Sequence, residues 1–420
     1  MERLVSVVKI EDLQRYCQIR NQYKESIIVS PIMRGGLVPQ EIQERLLGEG
    51  WTKVGYAACF DCLKGRSGFV TKPPIGEFLD DVADFFGGDR AEHTCGCRSA
   101  QFVVMKTMRD FVDDEGSKRY AKSVIVDPLC HYTTVIAAEA AGLQVLEPPH
   151  SGHPEYRVEA ESFRAKIEET KKETGKLPGL VAVTHAEPSH GNFNPAGEVA
   201  KIAEEYSIPC MVNAAYTAGV MPVSLKNLGA DFLTVSAHKS MASLGPLGFL
   251  VTNDEWAERA FAPSRTVTEW SKRAWKTKIP NILGCSIGGI ALISAMYSFP
   301  NVAERVGKWE EELEKTRWFI NEIEKIDDVR LLGERPHRHH LLHFETPVFH
   351  EISIRHRRKG FFLAEDMIKR GIVGLQRGLS KNIKLSLYGL GWDEVRKVRD
   401  AFYDTTEGYV KELGLNYAVP

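Results

Sequence analysis

Four stretches of this sequence place chemically able residues where a buried strand stops or a helix starts. In "TVSAHKSMAS" (234 to 243) the residue is Lys239, set between a histidine and a serine. A lysine amine can condense with an aldehyde or take a proton, whereas the ordinary lysine at a strand terminus is simply solvated. In "EHTCGCRSAQFVVMKTM" the turn Gly96-Cys97-Arg98-Ser99 precedes a helical run, and a helix N-terminus offers unpaired amides and a positive dipole end to a phosphate. In "VDPLCHYTTV" either His131 or Tyr132 can lie flat over an aromatic ligand, and in "MVNAAYTAG" Asn213 can bond a ring nitrogen. Each feature alone has a plainer reading, as a turn residue or a strand-end hydrogen bonder.

The elements that would position these residues alternate. "SVIVD" (123 to 127), "GLVAVTH" (179 to 185), "CMVNA" (210 to 214), "DFLTVSA" (231 to 237) and "LGFLVT" (247 to 252) read as strands buried on both faces. "YTTVIAAEAAGL" and "PAGEVAKIAEEYSI" carry apolar residues at helical spacing. The succession predicts an α/β fold with a mostly parallel sheet covered by helices. Past about residue 300, "AERVGKWEEELEKTRWFINEIEKI" reads as one long amphipathic helix, followed by "HEISI", "AEDMIKRGIV", "IKLSLYG" and a final helical stretch, together a smaller α+β unit. The division expected is an N-terminal segment, 1–50, packing with the small domain, a large domain at 51–305 and a small C-terminal domain at 306–420. Ligands of open α/β sheets bind beyond the carboxyl ends of the strands. A condensing lysine, a phosphate cradle, a stacking ring and a ring-nitrogen partner at four such ends are the parts of a pyridoxal phosphate site.

Composition sets the wider limits. The 420 residues are 43% hydrophobic and 26% charged, the profile of a globular protein with a sizeable core. No apolar stretch approaches a membrane span and the N-terminus is too charged for a signal peptide, so a cytoplasmic protein with no membrane is expected. The eight cysteines are then expected to be reduced, and clustered ones point to metal or redox chemistry. A net charge of -2 gives no global field for nucleic acid, though local basic patches remain.

The sequence resembles the fold-type I pyridoxal phosphate-dependent transferases, and among them closely the archaeal O-phosphoseryl-tRNA:cysteinyl-tRNA synthases. The resemblance is carried by "VSPIMRGGLVPQE", "GYAACFDCLKGR", "CHYTTVIAAEAAGL", "MVNAAYTAGVMPV", "SAHKSMASLGPLGFL", "ILGCSIGGI" and "RRKGFFLAEDMIKRGI", in order over nearly the whole chain. It implies that Lys239 is the Schiff-base lysine, that Cys97, Arg98, Asn213, Ser236, Ala237 and His238 bind the cofactor, and that His131 and Tyr132 belong to the active site. It also implies that Cys59, Cys62 and Cys285 are essential cysteines. Where the family usually has Gly-Ala-Arg-Glu, this chain has Gly96-Cys97-Arg98-Ser99, so the family's acidic residue is missing and the roles of Cys95 and Cys97 stay open.

The implied reaction is β-elimination of phosphate from phosphoseryl-tRNA(Cys), with Lys239 as base, followed by addition of sulfur. Most fold-type I enzymes hold the ring nitrogen with Asp; a neutral Asn213 makes a weaker electron sink, adequate for a leaving group as good as phosphate. Cys59, Cys62 and Cys285 either pass a persulfide among themselves or bind an iron-sulfur cluster with one open iron, the second being slightly favoured. Cys17, Cys130 and Cys210 read as small core residues. The tRNA would be gripped through phosphates, with "TEWSKRAWKTK" and "RHRRKG" as candidate patches. Phosphoseryl-tRNA synthetase and a second copy of the chain, in a homodimer, are the expected partners. The alternatives are a cysteine desulfurase or selenocysteine lyase and a non-catalytic scaffold for an iron-sulfur cluster or tRNA. Enzymes of the first kind usually pair a free carboxylate with arginine, where this chain has Lys384, and no cysteine follows Cys285.

Overall fold

Runs of Val, Leu, Ile and Ala with almost no polar interruption make the centre of the molecule, as in Leu177–Thr184, every residue of which is buried. The computed structural model describes residues 13–18, 24–53, 58–61, 66–263, 267–274, 280, 282–284 and 287–420, with the backbone alone at 58–61, 66 and 67. Seven strands form the main sheet: β1 Arg90–Thr94, β2 Tyr120–Val126, β3 Gln144–Leu146, β4 Leu177–Thr184, β5 Cys210–Asn213, β6 Phe232–Ser236 and β7 Gly248–Thr252. Their spatial order is β1-β7-β6-β5-β4-β2-β3, and β7 alone runs against its neighbours β1 and β6. The five stretches with unbroken apolar character are all strands, whereas β1 and β3 escape notice in the sequence. Both are edge strands, half-solvated, so "RAEHT" and "QVL" lack the buried pattern.

Alternating side chains pack both faces of the main sheet. Val181 and Val183 of β4 and Ile125 of β2 pack beneath helices α1 Gln40–Gly48, α2 Ile75–Phe85, α5 Ala160–Thr174, α6 Ala196–Glu205 and α7 Gly289–Val306; the intervening α3 and α4 lie on the other face. There Leu180, Ala182 and Val124 meet α3 Cys97–Phe111 and α4 Tyr132–Ala141. Cover on both faces is what the continuous apolar strands require, each large side chain so buried contributing about 1.5–3 kcal/mol.

The single long helix expected after residue 300 is two. α7 ends at Val306, Gly307 and Lys308 make the turn, and α8 Trp309–Ile323 begins anew. Glycine is a poor helix residue, and the periodicity on either side hides the break. α8 packs with α9 Pro347–Arg355, α10 Phe362–Lys369 and α11 Trp392–Leu413 around a three-stranded antiparallel sheet, β8 Arg330–Leu331, β9 Leu341–Glu345 and β10 Asn382–Ser386. The N-terminal segment enters this second core through Val29, with Ile27 and Ile28 paired to Ile372 and Val373. No helix among the described residues is long and apolar enough to cross a membrane.

Candidate active site at the carboxyl edge of the large sheet

The carboxyl ends of β1, β2, β4, β5 and β6 surround a cavity of about 350 Å³. Cys95, Cys97, Arg98, His131, Asn213, Ser236, His238 and Lys239 all line it. Two of the expected residues do not. Ala237 turns into the core with no exposure, its N–H donating to Leu247 O at 2.9 Å. Tyr132 is 62% exposed outside the lining, its hydroxyl accepting from Arg98 Nη2 at 3.4 Å.

Lys239 sits on the one-turn helix Ala237–Ser240 directly after β6. Burial pulls its amine below the ordinary lysine range, Cys97 offsets this in part, and Nζ lies 4.7 Å from the Tyr216 ring centroid. A desolvated amine spends more time neutral, the form that attacks a carbonyl or takes a proton. The turn is fixed from below. Arg305, half-buried, donates to Gly219 O at 3.0 Å, Gly35 O at 2.8 Å and Ser240 O at 2.6 Å. Gly36 lies so close under the turn that a Cβ there would stand 1.9 Å from His238 O, and one on Gly35 2.6 Å from Lys239 O. Only glycines let the N-terminal segment pass this near.

Gly96, at φ +100°, turns the chain from β1 into α3 and leaves the helix with no side-chain cap. Its first amides are therefore available to an anion at the cavity wall, beside Arg98. His238 is anchored by Nδ1 to Leu247 O at 3.1 Å, and its ring is kept neutral chiefly by burial. His131 caps α4, with Nδ1 2.9 Å from Thr133 Oγ1, and burial together with the Lys239 and Arg98 charges holds its pKa down. At the far side Asn213 presents its amide. Uncapped helix amides, a neutral-leaning lysine and a buried amide around one cavity fit the phosphate, aldehyde and ring of pyridoxal phosphate.

Sequence reasoning missed the end of β4. Asp127, fully buried, accepts from Thr184 N–H at 2.7 Å, and burial pushes its carboxyl up to about 7. Glu187, also buried, gathers the N–H groups of Ser189, His190 and Asn192 and so shapes a loop that sets Pro188 at the cavity. Lys384 of β10 donates to Pro188 O at 3.4 Å, tying the three-stranded sheet to the cavity wall. The strand-end rule applied to "VTHAEPSHGN" would have found this wall, and the aromatic of "NAAY" is Tyr216. Behind it runs a seam of histidines: His185 Nδ1 is 3.0 Å from Thr217 Oγ1, His339 Nε2 3.1 Å from Tyr216 O, and His340 Nδ1 2.8 Å from Ser386 Oγ.

Cys62 and Cys285 lie outside the described residues, as does the side chain of Cys59, whose backbone is in the strand Ala58–Asp61. Among the other cysteines, Cys210 is buried and Cys130 half-buried, but Cys17 is exposed on a 3-10 turn and is not a core residue. Of the basic patches, "RHRRKG" is already partly neutralised: Arg355 pairs with Glu351, and Arg358 with Glu365 and Asp366. The described part of "TEWSKRAWKTK", 268–274, is solvated, with Trp270 93% exposed.

Residues 142–366 match the family model of class-V aminotransferases. The chain is 44% identical over 402 residues to O-phospho-L-seryl-tRNA:Cys-tRNA synthase 2 of Archaeoglobus fulgidus, covering 96% of this chain and 99% of that one. It is 41% identical over 403 residues to the O-phospho-L-seryl-tRNA:Cys-tRNA synthase of Methanopyrus kandleri, covering 96% and 100%. Among solved structures it resembles SepCysS in complex with the SepCysE N-terminal domain, at a TM-score of 0.83 and 36% identity over 96% of this chain and 100% of that one. With this identity sustained over 96% of its length, the chain belongs to the O-phospho-L-seryl-tRNA:Cys-tRNA synthase family.

Proposed function

We propose that this protein uses pyridoxal phosphate to convert O-phosphoseryl-tRNA(Cys) to cysteinyl-tRNA(Cys). The observation that carries the reading is the pairing of Lys239 and Asn213 in one cavity, with Lys384 bonded to its wall residue Pro188 and, among the described residues, no arginine but Arg98 lining it to fork onto a free carboxylate. An aminoacyl ester has no free carboxylate to recognise. The bound cofactor supplies a sink for the electron pair released from Cα.

The chain's own groups do the rest. Lys239 Nζ, displaced by the substrate amine, takes the Cα proton; the Cβ–O bond then breaks and phosphate leaves with the electron pair. Arg98 and the α3 amides hold the cofactor's phosphate in place. His131, which lines the cavity, would contact the departing phosphate. Hydrosulfide adds at Cβ, and Nζ returns a proton to Cα. Of Cys59, Cys62 and Cys285, one would carry the sulfur as a persulfide and a second thiol would release it as hydrosulfide by forming a disulfide, which an external thiol reductant then reopens, or the three would hold a cluster that supplies the sulfide. The protein would work in the cytoplasm, as a homodimer, receiving its substrate from phosphoseryl-tRNA synthetase. The relative's complex with SepCysE supports a further protein partner of that kind.

The test is incubation with phosphoseryl-tRNA(Cys) and sulfide. Cysteinyl-tRNA is expected. Absence of product together with sulfur release from free cysteine would instead identify a desulfurase.

A further inference from the structure

Asn213 Oδ1 is occupied twice. It accepts from the Ala215 backbone N–H at 3.1 Å and lies 3.3 Å from Cys97 Sγ. A backbone N–H can only donate, so the atom facing it must be the amide oxygen, and the assignment of the two amide ends is decided by chemistry. Cys97 is itself held: Gln101 Nε2 donates to its sulfur at 3.3 Å, and the Thr234 hydroxyl lies 3.4 Å away. The thiol is almost fully buried, and burial keeps it protonated, so its S–H is available to Asn213 Oδ1. Asn213 Nδ2 makes no hydrogen bond among the described residues, and Asn213 lines the cavity. The cavity therefore receives an N–H donor and no acceptor from this residue.

We propose that Cys97 is a positioning residue that, with Ala215, locks the Asn213 amide with its NH2 toward the cofactor, so that the bound pyridine nitrogen is held unprotonated as a hydrogen-bond acceptor. A ring nitrogen carrying a proton would meet an N–H head-on, two donors without an acceptor between them, which is unfavourable in a buried site. The carboxylate usual at this position does the reverse. The consequence for specificity is a ring with limited electron demand, sufficient to expel a β-phosphate and ill-suited to carry the substrate on to transamination. Cys97 thus acts on the cofactor through its neighbour.

This inference rests on the proposed cofactor, so cofactor binding is established first by the visible absorbance of the holoprotein and its loss in Lys239→Ala. A protein that binds no pyridoxal phosphate defeats the functional reading and not the lock. The lock is then read by 15N NMR of the holoprotein loaded with ring-15N pyridoxal phosphate at neutral pH. The wild-type resonance is expected at the unprotonated position, Asn213→Asp at the protonated one, Cys97→Ser as wild type, and Cys97→Ala displaced toward the protonated position. A protonated wild-type nitrogen overturns the proposal without any variant needing to fold. An unprotonated wild type whose Cys97→Ala spectrum is unchanged overturns the role of Cys97.

Discussion

In the cavity, Asn213 leaves its amide nitrogen open, and Lys239 Nζ faces a tyrosine ring with no hydrogen bond among the described residues. A short way behind, in the seam between the sheet and the small domain, His185, His337, His339 and His340 each give a ring nitrogen to a carbonyl or hydroxyl. Both regions hold polar groups largely away from solvent. The seam closes most of its hydrogen bonds within the protein, His337 Nδ1 being the exception, and its histidines act as packing that costs little so long as they stay uncharged. The cavity leaves bonds unmade, which is tolerable only where a ligand completes them. Burial thus separates structural from ligand-binding polar groups less well than the completeness of their bonding does.

The strongest way to break the contrast is Lys239→Ala. Turnover should fall by about 10²–10⁴ at least, as for loss of a positioned acid-base group. The urea midpoint should stay within about 0.5 kcal/mol of wild type, because nothing in the seam depends on that amine. A large drop in stability would mean that the lysine is a structural group after all. Gly36→Ala tests the support beneath it: the new Cβ collides with His238 O, and about 1–3 kcal/mol should be lost along with cofactor affinity, measured by unfolding and by absorbance titration.

The seam should announce itself through pH. Burial depresses His185 from 6.5 to about 4 and His340 from 6.5 to about 3. Above the unfolded value both states are uncharged and these rings contribute no pH dependence. As pH falls below it, the unfolded chain takes protons that the folded one refuses, so stability is lost on the way down to the folded pKa. Each such ring adds up to about 1.4 kcal/mol per pH unit to the slope, and His185→Asn should flatten urea-unfolding data between about pH 6 and pH 4. The smallest effect belongs to Lys384→Ala, at the tie to the cavity wall: KM for phosphoseryl-tRNA should rise several-fold, to about tenfold, with kcat little changed, a split seen in steady-state kinetics.

The parts of the site legible in the sequence are those set by local pattern. β4, β5, β6 and β7 show as apolar runs, and the rule that ligands gather beyond strand ends then places Lys239, Asn213 and the Gly96 turn around one cavity. The edge strands β1 and β3 stay hidden because half of each is solvated. The orientation of the Asn213 amide depends on Ala215 and Cys97, the latter more than a hundred positions away, and no periodicity encodes that. Ala237 and His238 are adjacent, yet one enters the core and the other the cavity, because a single helical turn sends neighbouring side chains in different directions. The exposure of Cys17 was equally invisible, since a small apolar residue reads alike inside or out.

The three carbonyls gathered by Arg305 also set a timetable for assembly. Gly35, Gly219 and Ser240 meet at one guanidinium from places far apart along the chain, Gly35 and Arg305 being separated by 270 positions. Arg34, next to Gly35, closes a still wider loop of 354 positions onto Tyr388 O. Contacts of such long range form late, since the ordering of the intervening chain must come first. The lysine turn can be seated only when nearly the whole polypeptide has been made and both cores have condensed. A nascent or truncated chain would then have its sheet and yet no seated lysine turn.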